Sequence, residues 1–129
     1  MSKQKGSRAE RELLHMLFDE SFHVVRSAGS GSIGLPNPDL IAGRDGRILA
    51  IECKSLKNTS KYFKEQEIKE LKQFSKKFGA EAWLGIRFDN IGWFFIHPDK
   101  LNKTKSNYYA ISLEELKEKG LNFKDLIKK

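Results

Sequence analysis

Two carboxylates and a lysine in the segment PNPDLIAGRDGRILAIECK, Pro36 to Lys54, have the types and spacing for metal-assisted chemistry. Ile48 to Cys53 reads as a buried strand, yet Glu52 sits inside it and Lys54 follows at once. An unpartnered carboxylate in a low-dielectric interior costs on the order of several kcal/mol or shifts its pKa until it is neutral, so such a group normally has a cation or a task. Side chains alternate along a strand, which puts Glu52 and Lys54 on one face and Ile51 and Cys53 on the other. Cys53 therefore reads as a small core residue. Asp39 opens the preceding strand, and hairpin pairing would lay the start of that strand beside the end of the Glu52 strand. Two carboxylates and an ammonium then converge at one sheet edge. Hard oxygen donors without Cys or His suit Mg²⁺ or Mn²⁺, and a lysine beside them could orient or deprotonate a water on the cation. The competing reading of these three residues is a structural ion-pair network.

A further acid comes from the N-terminal helix. At ~100° per residue, Glu10 falls near the middle of the apolar stripe of Leu13, Leu14, Leu17 and Phe18, whereas Glu12 falls on the opposite side and faces water. Glu10 also follows Ser7 at capping-box spacing, so it either joins the acidic site or closes a helix cap. Lys57, Lys61 and Lys64 form a basic stretch near the same edge, facing phosphate or simply solvated. His15, His23 and His97 share no metal-ligand spacing. Trp83 and Trp93 lie in strand patterns and read as core or interface packing ahead of base stacking.

The elements that must position these residues follow from periodicity and turn chemistry. The first helix should run from about Arg8 to Glu20. FHVVRSAG follows as a short β-branched strand, and GSGSIGLPNP, Gly29 to Pro38, predicts a mobile loop that ends extended. DLIAG and RILAIECKS form a hairpin with its turn at Arg44 to Gly46, the second strand being apolar on both faces and therefore central. Lys64 to Phe78 forms a second helix with Ile68, Leu71, Phe74 and Phe78 on one face and Gly79 ending it in a left-handed conformation. AEAWLGIRF and GWFFIH supply two strands around a turn at Asp89 to Gly92. DKLNKTKSN reads as a polar loop, ISLEELKEKG as a helix capped by Ser112 with Glu115 and stopped at Gly120, and LNFKDLIKK as a short helix or tail. The order predicts an α/β fold with a single mixed five-stranded sheet flanked by helices.

A chain of 129 residues with 39% hydrophobic content suits one compact domain with one core, here residues 1–129. Lys and Arg outnumber Asp and Glu by 24 to 17, a net charge of +7 that favours a polyanionic partner such as nucleic acid. With one cysteine no internal disulfide can form, and the ligand pattern of a structural zinc site is missing, which fits a reducing cytoplasm. The charged N-terminus MSKQKGSRAERE has no apolar core of a signal peptide, and no later run approaches the ~18 residues of a membrane span, so neither export nor membrane insertion is expected.

Glu10, Pro38-Asp39 and Glu52-Cys53-Lys54 together resemble the E…PD…(D/E)xK pattern of the restriction-endonuclease-like nucleases. KGSRAERELL, FHVVRSAGSGS, PDLIAG, IECKS and FSKKFGAEAWLGIRF…GWFFI are similar, more closely, to the archaeal Holliday junction resolvases, the Hjc family. The likeness covers Lys5 to about Ile96. It implies a homodimeric, Mg²⁺-dependent endonuclease, with Mn²⁺ able to substitute, that resolves four-way DNA junctions and leaves 5′-phosphate and 3′-hydroxyl ends. It leaves room for accessory recombination proteins as partners. Carried onto this chain, it makes Asp39 and Glu52 metal ligands with the backbone carbonyl of Cys53, lets Glu10 complete the acidic site, and has Lys54 position the attacking water. Ser30 and Ser32 join the catalytic and DNA-contacting residues in the loop, and Arg11 and Arg26 match basic residues around the active site and DNA. Phe74 and Phe78 match aromatic positions of the family's dimer, while helical spacing alone would make them core residues. Two rivals stay open: a nuclease of the same superfamily acting on duplex or damaged DNA, and a basic DNA-binding protein without catalysis.

Overall fold

The computed structural model describes residues 3–27, 35–104 and 106–128, with side chains from residue 6 onward. Helix α1 (Lys3–Asp19) buries Leu13 and Leu17 against the sheet. It begins a turn or more before the expected start, so Ser7 lies inside the helix and is not its N-cap. The apolar stripe is also narrower than its period suggests. The last turn meets edge strand β1 (His23–Arg26), where Phe18 stays 56% exposed with its ring edge-on to His23.

Strands β2 (Leu40–Arg44) and β3 (Arg47–Leu56) form the expected hairpin. Asp45 and Gly46 both take positive φ, 50° and 84°, the geometry that lets a two-residue turn follow the right-handed twist of its strands. Helix α2 (Glu65–Phe78) ends at Gly79, whose φ of 84° and N–H bond to the Ser75 carbonyl make the left-handed cap. Strands β5 (Glu81–Phe88) and β6 (Gly92–Ile96) complete a five-stranded sheet of order β1-β2-β3-β5-β6. Only the β3–β5 pair is parallel, so the sheet is mixed with β3 at its centre. Leu49, Ile51 and Cys53 join Leu13, Leu17 and Phe95 in one core layer, and Ala50 joins Ile68, Leu84 and Ile86 in the other.

A second sheet was not legible in the sequence. Strand β4 (Ser60–Lys64) pairs antiparallel with β8 (Tyr108–Ser112), which also pairs with the short β7 (Asn102–Lys103). The sequence reads there as a basic stretch over β4, a polar loop over β7 and, from Ile111 of β8, the start of a capped helix, because only Phe63 and Ile111 are buried in these strands. Helix α3 (Leu113–Lys119) carries the expected cap, the Ser112 hydroxyl accepting from the Glu115 N–H at 3.2 Å. Helix α4 (Phe123–Lys128) is docked firmly: Leu126 is fully buried, and Leu121 exchanges two backbone hydrogen bonds with Phe95 of β6. Among the described residues no helix is long and apolar enough to cross a membrane.

Candidate active site

The β2–β3 register pairs Leu40 with Ile51, which sets Asp39 across from Glu52 at the end of the hairpin. The Cys53 N–H donates to Asp39 Oδ2 at 2.8 Å, and the Asp39 N–H donates to the Glu52 carboxylate. A strand residue's N–H and C=O leave the same side of the chain, so the Cys53 carbonyl also faces Asp39. Burial first, then the Asp39 charge, pushes Glu52 up to about 8. Burial also raises Asp39, with Glu10 adding to the rise and the Cys53 N–H opposing it. Two half-buried acids thus face each other and share a hydrogen bond, with the Lys54 ammonium in electrostatic reach of both but outweighed by burial.

Lys54 lies on the Glu52 face of β3, its Nζ 3.9 Å from Glu67 Oε1 in the first turns of α2. Sequence reading missed Glu67. Nothing in its local spacing marks it, and only the packing of α2 against β3 brings it to Lys54 and into electrostatic reach of Glu52.

Glu10 faces inward as expected, though its partner differs. Arg26 Nε donates to Glu10 Oε1 at 2.9 Å, and Arg26 Nη2 donates to the Ser7 hydroxyl at 2.9 Å. This corrects the capping-box reading: Ser7 and Glu10 are joined through a guanidinium from β1. Glu10 stands close enough to Asp39 to raise its pKa. Among the described residues no three His, Cys, Asp or Glu side chains are gathered at metal-ligand range, so Glu10 is beside the Asp39–Glu52 pair without closing a ligand set. Glu12 does not simply face water either, since it accepts from Arg87 Nε at 2.9 Å and Trp93 Nε1 at 2.7 Å.

The other candidates are spread around this centre. Arg11 is exposed on α1, Lys57 and Lys64 are exposed, and Lys61 is half-buried on β4. Ser30 and Ser32 lie outside the described residues. Cys53 is buried, and burial pushes its thiol well up. Trp83 and Trp93 are buried as expected of packing residues. Phe74 and Phe78 stack at 5.0 Å, Phe78 being 51% exposed beside an apolar groove of about 310 Å³ that Pro36 also lines.

Metal-assisted phosphodiester hydrolysis calls for oxygen donors for a hard cation and a proton-handling group beside them, and this hairpin presents both at one end of a mixed sheet. That architecture is the one restriction-endonuclease-like nucleases share. The chain belongs to the archaeal Holliday junction resolvase family: the family model described as archaeal Holliday junction resolvase (hjc) matches residues 1–129. The crossover junction endodeoxyribonuclease Hjc of Sulfurisphaera tokodaii is 39% identical over 129 residues, 98% of this chain and 88% of that one. The protein of the same name from Methanocaldococcus jannaschii is 40% identical over 124 residues, 96% and 87% of the two chains. The solved structure of Archaeoglobus fulgidus Hjc, a Holliday junction resolvase, superposes with a TM-score of 0.86 at 32% identity, covering 97% of each chain.

Proposed function

We propose that this chain is a crossover junction endonuclease that resolves four-way DNA junctions as a homodimer, by Mg²⁺-dependent hydrolysis that leaves 5′-phosphate and 3′-hydroxyl ends. The observation that carries the reading is the Asp39–Glu52 pair, two half-buried carboxylates facing each other at the open end of the β2–β3 hairpin with Lys54 on the Glu52 face. The residues fit a hard divalent cation, because burial raises both carboxylates in spite of Lys54, the Asp39 charge raises Glu52 further, and the Cys53 carbonyl points the same way. Asp39, Glu52 and that carbonyl would hold Mg²⁺, which when bound supplies Lewis-acid polarisation of the phosphate and activation of water. Lys54 orients the attacking water, Glu67 draws its ammonium aside from the acids, and Glu10, fixed by Arg26, completes the negative rim. Arg11, Lys57, Lys61 and Lys64 supply phosphate contacts, and the Phe74–Phe78 stack, exposed at Phe78, supplies the two-fold contact between protomers.

The deciding experiment compares a four-way junction with a linear duplex of the same sequence, with and without Mg²⁺. Cleavage should require both the junction and the metal, and Asp39→Asn should bind the junction without cutting it. Equal cutting of duplex would replace the junction by a broader substrate. Binding lost in step with cleavage in Asp39→Asn would remove the metal role.

A further inference from the structure

The structure buries both tryptophans, so the aromatic surface available to DNA near the site lies elsewhere. On β4, Phe63 points into the core while Ser60, Tyr62 and Lys64 alternate to the outside. Residues paired directly across an antiparallel ladder share a face, so Tyr62 stands with Ala110, and Lys64 with Tyr108. Tyr62 is 63% exposed and Tyr108 41%, and only the small Ala110 of β8 stands across from Tyr62. The platform is anchored at both ends, because the Glu65 N–H bonds the Asn107 carbonyl at 2.8 Å and the Leu113 N–H bonds the Thr59 carbonyl at 2.7 Å. It also begins beside the active site. Lys64 is the N-cap of α2, and Glu67, three residues on, is the residue that meets Lys54. Three extended steps and two helical ones keep the Tyr62 backbone within roughly 15 Å of Glu67's, about four nucleotide steps along a strand.

We infer that the outer face of this second sheet, Tyr62 and Tyr108 with Lys64, is a stacking platform for nucleobases at the point of strand exchange. The inference rests on junction DNA being the substrate. In a duplex every base is stacked on both sides, whereas the pairs flanking an opened exchange point lose a neighbour and present a bare π-face. An aromatic platform beside a basic side chain therefore favours the junction over its arms, while Lys64 holds the adjoining phosphate. The tyrosines are specificity residues that act on the choice of substrate and leave the metal chemistry alone.

The test uses metal-free protein and junctions carrying 2-aminopurine next to the exchange point, so binding is read without cleavage. Wild-type protein should keep the probe quenched by stacking. The Tyr62→Ala/Tyr108→Ala double variant should give a brighter complex and lose about tenfold of its preference for junction over duplex, Tyr62→Phe/Tyr108→Phe should restore both, and Lys64→Ala should lower the salt slope by about one. A folded, dimeric double-alanine variant with wild-type quenching and preference would overturn the inference, as would one whose only defect is dissociation into monomers. Wild-type protein that quenches the probe yet never cuts with Mg²⁺ would strike the nuclease reading and uphold the platform.

Discussion

Glu52 is held near about 8 by burial and by Asp39, with Lys54 opposing and Glu67 adding a further negative charge. Its folded pKa lies above the unfolded one, so between about pH 4.5 and 8 the folded state holds a proton that the unfolded state has lost, and stability falls as pH rises through that window. Thermal melts of metal-free protein should therefore drop between pH 5.5 and 8.5, by a few kcal/mol at ~1.4 kcal/mol per pK unit, and Glu52→Gln should flatten the decline. Mg²⁺ should raise the melting temperature more at pH 8 than at pH 5.5, since cation and proton compete for the same oxygens. A Mg²⁺ effect independent of pH, or unchanged in Glu52→Gln, would contradict a site at this carboxylate. Lys54→Ala should bind junctions normally and cut them at least a hundredfold more slowly, a typical size for loss of one proton-handling group. Near-normal single-turnover rates would reassign the lysine to pairing with Glu67.

Elements owe their placement here to a few side-chain clamps. Arg47, at the start of β3, forks onto Glu81 of β5 at 2.7 and 3.0 Å and donates to the Leu126 carbonyl at 2.6 Å. Arg44 crosses the Phe22 ring at 4.3 Å and donates to the Ile127 carbonyl. Two cations thus satisfy the C-terminal carbonyls of α4, where the helix dipole is negative. Arg47→Ala should lower urea stability by about 2 kcal/mol, the scale of losing hydrogen bonds to a charged group, while leaving junction affinity at low temperature intact. Gly120 is constrained for a different reason. A Cβ there would lie 2.7 Å from the Leu116 carbonyl and 3.0 Å from that of Phe95, both backbone atoms that cannot swing away. Gly120→Ala should cost about 1–3 kcal/mol and loosen the docking of α3 on β6, visible as faster amide exchange at Phe95 and Leu121.

At the scale of the whole molecule, the Phe74–Phe78 stack and the acidic pair share the α2 side of the sheet, and Pro36 of the groove leads within three residues to Asp39. A two-fold dimer built on that patch would carry two active sites related as the opposed strands of a junction are related. Replacing Phe74 and Phe78 together with charged residues should give folded monomers by light scattering, which nick a cruciform plasmid and do not linearise it. An unfolded double variant would return both rings to the core, and a folded dimer would move the interface elsewhere. Heterodimers with one Asp39→Asn subunit should likewise yield nicked circles; linear product at the wild-type rate would mean that two sites per complex are unnecessary.

By itself the sequence determined whatever depends on neighbours in the chain. The hairpin at Asp45-Gly46, the left-handed stop at Gly79, the Ser112 cap and the inward period of Leu13 and Leu17 are set by dihedral preference and periodicity within a few residues. Asp39 and Glu52 were legible for the same reason, because a tight two-residue turn fixes the register of both strands. Tertiary structure alone decided what depends on distant partners. Ser60–Lys64 became a strand only by meeting Tyr108–Ser112 far along the chain, and no periodicity in a segment with one buried residue foretells that pairing. Glu67 reached Lys54 through the packing of α2 on β3, and Ser7 and Glu10 exchanged a cap for Arg26 once β1 lay beside α1. Those contacts exist because burial of the two core layers brings the elements together, and burial is indifferent to the order in which the chain supplies them.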